Sequence, residues 1–135
     1  MRDNFFIHKV LLVLGVLLLS ACIEIKHDSY IVGSITSRQA EVMPLGARME
    51  ISLVDVSIAD ATSKMIARSI LTKDVQLPTT FQLHYDAKEI EQNRTYAVQV
   101  RIYDGTTLLF INDVSHQVLT RGRDNRVNME LKKIN

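Results

Sequence analysis

Several residue types that usually reveal a fold or a function are scarce in this sequence. Its single cysteine, Cys22, excludes an internal disulfide framework and any zinc site built from several cysteines. Two prolines and five glycines are too few for a collagen-like or low-complexity chain. A net charge of only +1 lacks the strong basic excess of most nucleic-acid-binding domains. With 135 residues, of which 47% are hydrophobic, the chain is suited to one globular domain.

Residues 1–21 have the pattern of a secretion signal, a segment that is removed from the mature protein. A short basic start is followed by the uncharged run VLLVLGVLLL at positions 10–19. A helix of that length extends about 15 Å, which is half the thickness of the hydrocarbon core of a bilayer. We therefore predict a cleaved signal peptide rather than a membrane-spanning helix.

The predicted signal ends in Leu19-Ser20-Ala21-Cys22, which resembles a bacterial lipobox. Small side chains admit the backbone to the signal-peptidase cleft, and the cysteine thiol is the nucleophile that takes up the lipid. The resemblance implies cleavage after Ala21 and lipidation of Cys22, with several acyl chains that bind a membrane more firmly than one myristoyl chain. Isoleucine rather than aspartate at position 23 favours the outer membrane, by the sorting rule of such lipoproteins. The alternatives are an ordinary signal peptide and a buried core cysteine.

The predicted mature chain consists of a short tether, residues 22–29, and one domain, residues 30–135. Apolar and polar residues alternate with a period of two through this domain, which predicts β-strands. We expect eight strands, at residues 30–36, 47–56, 65–72, 79–85, 96–103, 108–112, 115–119 and 126–132. A phase break near Leu53 and Val54 predicts a β-bulge. Short strands and few helices favour an immunoglobulin-like β-sandwich of about seven or eight antiparallel strands.

One helical turn is expected between the fourth and fifth strands. Asp86 and Glu89 have the spacing of a capping box, and the turn that they predict would carry Ile90 inward. Tyr96 begins the strand that follows. A tyrosine in this place is similar to the tyrosine corner of Greek-key sandwiches.

Asp104-Gly105 predicts a β-hairpin, because glycine tolerates the positive φ that such turns need. Loops of two or of four residues place the same side chains in the core, namely Val98, Val100, Ile102, Leu109 and Ile111. The opposite face then carries Tyr103, Leu108 and Phe110. Unless a neighbouring loop covers them, these three would form an exposed patch able to bind a peptide or a strand.

Several stretches, taken in order, resemble the YbaY/YscW family of bacterial lipoproteins. They are IVGSI at 31–35, MPLGAR at 43–48, ISLVDVSIADATSKMIA at 51–67, FQLHYD at 81–86 and LLFIND at 108–113. The resemblance implies an outer-membrane lipoprotein with a periplasmic β-sandwich. The YbaY branch, to which LVDVSIADA at 53–61 is closer, has a loose link to glycan metabolism. The YscW branch comprises type III secretion pilotins, which bind the C-terminal segment of a secretin and carry it to the outer membrane.

The sequence shows no strong catalytic pattern. The three histidines beyond the signal, His27, His84 and His116, lack the spacing of zinc ligands. Asp55, Asp60 and Asp113 would have to cluster to serve a glycan-active enzyme, and turn-capping or strand-end roles are more typical of their positions. No serine lies in a Gly-x-Ser-x-Gly elbow, and no glycine-rich loop could hold a phosphate. We therefore expect neither a catalytic residue nor a cofactor or metal.

Residues 121–126, Arg-Gly-Arg-Asp-Asn-Arg, form a basic turn. Such a turn is suited to contact lipid head groups or an acidic partner, although the same composition is typical of a solvated hairpin tip. Together these observations predict a non-enzymatic, outer-membrane-anchored lipoprotein of YbaY type that acts as a binding or envelope-assembly module. Two alternatives stay open: a pilotin that binds a secretin peptide, and a glycan-related enzyme or glycan-binding protein.

Overall fold

A computed structural model describes residues 29–39 and 42–134, and within them the chain forms eight β-strands. Their bounds are β1 (Ser29–Ser37), β2 (Ala47–Asp55), β3 (Lys64–Leu71), β4 (Thr79–Tyr85), β5 (Tyr96–Asp104), β6 (Thr107–Ile111), β7 (His116–Val118) and β8 (Arg126–Lys133). All eight predicted strands are confirmed, each to within one residue at either end.

The strands belong to one nearly closed, barrel-like sheet in the order β3-β2-β5-β6-β8-β1-β4, and β7 also pairs with β5. The predicted all-β class is confirmed, but the expected immunoglobulin-like sandwich of antiparallel strands needs correction. β6 and β8 are joined through the pairs Phe110 with Lys133 and Ile111 with Lys132, so the strands do not separate into two sheets. In addition, β1 and β8 run parallel.

The inner face of the sheet is filled by alternate residues of the strands, as the period of two requires. The buried side chains include Ile31, Ile35, Met49, Ile51, Leu53, Leu83, Tyr96, Val98, Val100, Ile102, Phe110, Val127, Met129 and Leu131. The inward faces predicted for the fifth and eighth strands are confirmed. Leu83 is buried as predicted, whereas Phe81 and Tyr85 are half-buried at the margin of the core.

The hairpin between β5 and β6 corrects one part of the predicted core. Tyr103 is opposite Leu108, but the next residue, Ile102, is opposite Phe110, so Leu109 is an extra residue in β6. A one-residue shift reverses which side chains face the core. Phe110 is therefore 1% exposed, while Leu109 and Ile111, both predicted to be core residues, are only half-buried.

The pairing of β2 with β3 shifts between Leu53 and Val54, where a bulge was predicted, but the bulge does not lie in the second strand as expected. Leu53 is opposite Ala67 and Val54 is opposite Met65, so the extra residue, Ile66, lies in β3. The pairing of β2 with β5 continues without interruption through the same residues. The bulge therefore changes the course of β3 and leaves β2 in register with the centre of the sheet.

A single 3₁₀ turn, Ala87–Glu89, crosses one end of the sheet between β4 and β5. As predicted, Asp86 caps it: the backbone N–H of Lys88 donates to the Asp86 carboxylate at 2.9 Å. Ile90, which follows the turn, packs against the core. Within residues 29–39 and 42–134, no helix is long and apolar enough to cross a membrane.

Candidate functional site

The directions of the strands give the domain two ends. β1 begins at Ser29, and its register places Tyr85 of β4 and Arg126 of β8 close to this start. We call this end, where the predicted tether joins, the tether end. Its connecting segments are residues 56–63, 86–95 and 119–125. The opposite end, which we call the far end, is formed by residues 42–46, 72–78 and 105–106.

A buried carboxylate, Asp55, lies at the tether end where β2 finishes. It is 8% exposed. Its Oδ1 accepts hydrogen bonds from the backbone N–H of Ser57 at 2.9 Å and from the Ser57 hydroxyl at 2.5 Å. Its Oδ2 accepts from the Arg94 guanidinium at 3.0 Å, and Arg94 also pairs with Glu91 at 3.3 Å. Asp55 therefore joins the end of β2 to the crossing segment between β4 and β5.

Two opposing effects determine the protonation of Asp55. Burial raises the pKa of the Asp55 carboxyl, because it removes water from the charged form. The hydrogen bonds from Ser57 and the charge and hydrogen bond of Arg94 outweigh burial, so the pKa is lowered below its ordinary value. The group is thus ionised at neutral pH and has its acceptors occupied. Such a carboxylate is suited to hold a loop in place rather than to transfer protons.

Tyr96 holds the same crossing segment, residues 86–95, from the side of the core. Its side chain is buried, and its hydroxyl accepts a hydrogen bond from the backbone N–H of Glu91 at 2.9 Å. The hydroxyl lies 3.4 Å from the backbone carbonyl of Glu89, to which it donates. This is the bonding pattern of a tyrosine corner, as the sequence predicts. A cavity of about 140 Å³ beside Tyr96 and Asp55 is lined by both charged and apolar side chains, including Lys64 and Ile58.

The other carboxylates considered as catalytic candidates have separate surroundings. Asp60 is exposed in a turn, with a φ of 61°. Asp113 is exposed and lies 3.7 Å from the Lys132 ammonium, whereas Asp55 is paired with Arg94. In the part of the chain that the structure describes, no three His, Cys, Asp or Glu side chains are grouped so that they could hold a metal ion.

His84 and His116 lie on different strands, β4 and β7. His84 is exposed, as predicted, and shares the outer face of β4 with Gln82, at 3.3 Å between the two side-chain nitrogens. Burial lowers the pKa of His116, because it disfavours the charged imidazolium. The third candidate, His27, lies outside the described residues.

A groove of about 610 Å³, lined by both apolar and polar side chains, lies at the far end, between the segment that precedes β2 and the segment that joins β3 to β4. Val42 and Leu45 on its rim are almost fully exposed, although large apolar side chains are usually covered. Val75 and Leu77 line it from the other side and pack against the core. Polar side chains, Lys73 and Asp74 among them, flank the groove. The arrangement is typical of a site that binds an apolar segment of a partner.

The structure does not bring together the apolar patch predicted on the hairpin. Tyr103 and Leu108 are paired on the outer face, and both are half-buried. The Arg48 guanidinium lies over the Tyr103 ring, 5.0 Å from its centre, and covers part of it. Phe110, turned inward by the bulge at Leu109, belongs to the core. The face assigned to Phe110 was therefore wrong, and the other two residues form a smaller surface than predicted.

The predicted lipidation site, Cys22, and the predicted cleavage site, Ala21, lie outside the described residues. The whole predicted signal, residues 1–21, and residues 22–28 of the predicted tether lie outside them too. The tether was predicted to extend through position 29, and Ser29 is already the first residue of β1. Lipid attachment at Cys22 stays a prediction at the level of the residue.

Residues 26–131 match the family described as type III secretion system lipoprotein chaperone (YscW). The chain belongs to the YscW family. The family predicted from the ordered stretches is thereby confirmed. This YscW-family protein is a lipoprotein that is anchored to a membrane of the cell envelope.

This YscW-family protein is similar to two further proteins, one in sequence and one in structure. The uncharacterized lipoprotein YbaY of Escherichia coli strain K12 is 30% identical over 91 residues, which are 67% of this chain and 48% of YbaY. The chain thus spans about half the length of that relative. The structure of an alternative pilotin from the type II secretion system of Vibrio cholerae is similar with 32% identity and a TM-score of 0.75. The similarity covers 79% of this chain and 97% of the pilotin chain.

Sequence reasoning missed the far-end groove, although a local signal was present. Val42, Met43 and Leu45 are three large apolar residues within four positions around Pro44, in a segment that precedes a strand rather than forming one. Apolar residues in a connecting segment are unusual, because such segments lie on the surface. Their proximity to residues 72–77 depends on the sheet and has no counterpart in the local sequence.

Proposed function

We propose that this YscW-family lipoprotein is a non-enzymatic pilotin-type binding module. It holds the C-terminal segment of a secretin at the periplasmic face of the outer membrane, where that secretin is to be assembled. The observation that carries the proposal is the similarity to a type II secretion pilotin along 97% of that chain, with a TM-score of 0.75. The match to a family of secretion lipoprotein chaperones supports the same class of function.

The membrane anchor in this proposal is the lipidated Cys22. The lipobox of residues 19–22 supports it, and Ile23 supports the outer membrane as the destination. The lipid is the contact with the membrane, and the secretin is the protein partner. Neither requires a cofactor, a metal or a chemical step.

The far-end groove is the docking site that we assign to the secretin segment. Its exposed rim residues, Val42 and Leu45, lose their contact with water when an apolar segment binds. Burial of one such side chain stabilises a complex by about 1.5–3 kcal/mol. An amphipathic segment with apolar residues on one face would therefore bind there, with Lys73 and Asp74 contacting its polar flank.

Binding of a labelled peptide, taken from the C-terminus of the secretin of the same cell, tests the docking site. We expect Leu45→Asp to weaken binding at least tenfold, because a charge replaces apolar surface that the peptide would cover. Leu45 is exposed, so the substitution leaves the folded domain intact, which circular dichroism would verify. The measurement is fluorescence anisotropy with the purified mature protein.

Two control variants make the result specific. Ile58→Asp places a charge on another exposed apolar residue, at the tether end, and is expected to leave peptide affinity unchanged. Leu108→Asp tests the outer face of the hairpin in the same way. Equal affinity of Leu45→Asp and the unmodified protein would refute the groove as the site, and a loss confined to Leu108→Asp would transfer it to the hairpin. Absence of binding to any secretin peptide would refute the pilotin function itself.

The anchor has its own test. Cys22→Ser removes the thiol that takes up the lipid, so we expect the variant to lose label from a radioactive fatty acid and to fractionate with soluble periplasmic proteins. A variant that still fractionates with the outer membrane would contradict anchoring through Cys22.

A further inference from the structure

The segment between β7 and β8 is held against the first residues of β1. The backbone N–H of Val32 donates to the carbonyl of Asn125 at 3.0 Å, and the Asn125 side chain donates to the carbonyl of Tyr30 at 3.1 Å. Arg126 is the partner of Val32 in the parallel pairing of β1 with β8. The basic segment 121–126 therefore lies beside the point where the predicted tether enters the domain.

The length of the tether restricts how far this end can lie from the membrane. Residues 22–28, seven in number, connect the predicted lipidation site to Ser29, and at about 3.6 Å per residue they reach at most about 25 Å. A lipid on Cys22 therefore holds the tether end of the domain near the surface of the bilayer. This step depends on the lipid anchor of the proposed function.

The basic segment has a defined shape. The Thr120 hydroxyl donates to the carbonyl of Arg94 at 2.6 Å, and the backbone N–H of Arg123 donates to the carbonyl of Thr120 at 3.1 Å. The Arg121 guanidinium is bound to the carbonyl of Asn93 at 2.7 Å and to the Thr95 hydroxyl at 3.1 Å. Arg121 thus attaches the segment to the crossing loop. Arg121 and Gly122 are the central residues of the turn, and Arg123, which follows them, is exposed.

Two exposed arginines of the segment have no counter-charge. Within residues 29–39 and 42–134, no carboxylate lies at ion-pair distance from Arg123 or Arg126. Among the carboxylates of the tether end, Asp55 and Glu91 are paired with Arg94. Asp124, which lies between the two arginines in the chain, is exposed, and its Oδ1 accepts a hydrogen bond from the backbone N–H of Asn125 at 2.6 Å. A guanidinium presents parallel N–H donors that match the oxygens of a phosphate. The guanidinium groups of Arg123 and Arg126 are thus the donors at this end that match phosphate oxygens at a membrane surface.

We propose that Arg123 and Arg126 bind the phosphate head groups of anionic lipids in the membrane that carries the lipid anchor. The contact adds to the anchor a second attachment, which fixes the tether end of the domain on the bilayer. The far-end groove then opens away from the membrane. The secretin segment reaches it from the periplasm, and the lipid and the peptide do not compete for one surface.

Hydrogen–deuterium exchange of the lipidated protein in vesicles tests this contact. Vesicles of phosphatidylcholine are compared with vesicles that also contain phosphatidylglycerol. On the anionic vesicles we expect the amides in 119–126 to exchange roughly fivefold more slowly for each arginine that binds. The factor corresponds to the attraction of about 1 kcal/mol between one basic residue and an anionic membrane surface. The amides of 42–46 and 72–78 at the far end are expected to exchange equally on both. High salt should abolish the difference.

Charge-matched variants separate the contact from a general attraction. Arg123→Gln with Arg126→Gln should remove the protection, whereas Arg68→Gln with Arg101→Gln, which removes the same charge from exposed positions of β3 and β5, should keep it. Equal exchange on both kinds of vesicle, or protection that persists in the arginine variant, would overturn the proposal. If the protein itself did not float with the vesicles, the lipid anchor would be refuted instead, so the two failures are distinguishable.

Discussion

Replacement of Asp55 by alanine is the strongest test of how the tether end is held together. The substitution removes the acceptor for the Ser57 backbone N–H, for the Ser57 hydroxyl and for the Arg94 guanidinium. Because Asp55 joins two segments that are 39 residues apart in the chain, its loss affects the fold rather than one turn. We expect the variant to fold and to unfold at a lower temperature than the unmodified protein.

The magnitude follows from the burial of the partners. Hydrogen bonds to a charged group contribute about 1.5–3 kcal/mol, and Asp55 is almost buried. The side chain of Arg94 is 40% exposed, so water screens its attraction, and its share is the small one of a surface pair. We therefore expect Asp55→Ala to lower the free energy of unfolding by about 2–3 kcal/mol, which lowers the midpoint by roughly 8–15 °C.

Thermal unfolding followed by circular dichroism measures this effect, and Asp113→Ala is its matched control. Asp113 is also an aspartate in an ion pair, but it is 49% exposed and lies 3.7 Å from Lys132. Such a pair contributes about 0.5 kcal/mol or less. If Asp55→Ala and Asp113→Ala shifted the midpoint by the same amount, the network around Asp55 would not be the stabilising contact described above.

The pH dependence of stability, compared between the unmodified protein and Asp55→Ala, gives a second check. The pKa of Asp55 is lowered in the folded state, so its stabilisation is complete above the ordinary pKa of an aspartate. It is lost as the pH falls through the lowered folded-state pKa. The difference in stability between the unmodified protein and Asp55→Ala should therefore be constant near neutral pH and decrease in acid. An increase in that difference on acidification would contradict the sign of the shift.

Four further substitutions test the packing of the sheet by denaturant unfolding. Phe110→Ala should lower the free energy of unfolding by about 3–5 kcal/mol, and Leu108→Ala by less than half as much, because only Phe110 is in the core. The reverse order would contradict the register of β6. Gly33→Ala should cost more than 3 kcal/mol or prevent folding, because its Cβ would lie 1.7 Å from the Val127 carbonyl oxygen; an unchanged midpoint would contradict that close approach. Tyr96→Phe should cost about 1–3 kcal/mol through loss of its buried hydroxyl contacts, and a neutral result would remove the tyrosine corner as a stabilising element.

The strands of this protein were predictable because each of them carries its own alternation. Val98, Val100 and Ile102 face the core because polar residues separate them, and Val127, Met129 and Leu131 repeat the pattern. The cap at Asp86 and the corner at Tyr96 were also predictable, since both depend on residues within ten positions of each other. Local chemistry is enough for such features.

The register of β6 and the candidate sites could not be predicted in the same way. Leu109 is an extra residue in β6, and it turns the side chain of Phe110 toward the core. No residue type in the local sequence indicates this shift, because it arises from the pairing of β6 with β5. The contact of Asp55 with Arg94 and the groove between 42–45 and 72–77 join segments that are distant along the chain. Only the closure of the sheet brings them together.

The sequence by itself determined the all-β class, the positions of the eight strands and the membership in a family of envelope lipoproteins. Side-chain alternation sets the first two, and the ordered stretches between residues 31 and 113 indicated the third. The tertiary structure decided that β1 runs parallel to β8, that the strands form one sheet instead of two, and that the basic segment and the far-end groove lie at opposite ends. The reason is that hydrogen-bond partners in a sheet are chosen by the packing of the whole chain, whereas the pattern along one strand shows only which of its faces is buried.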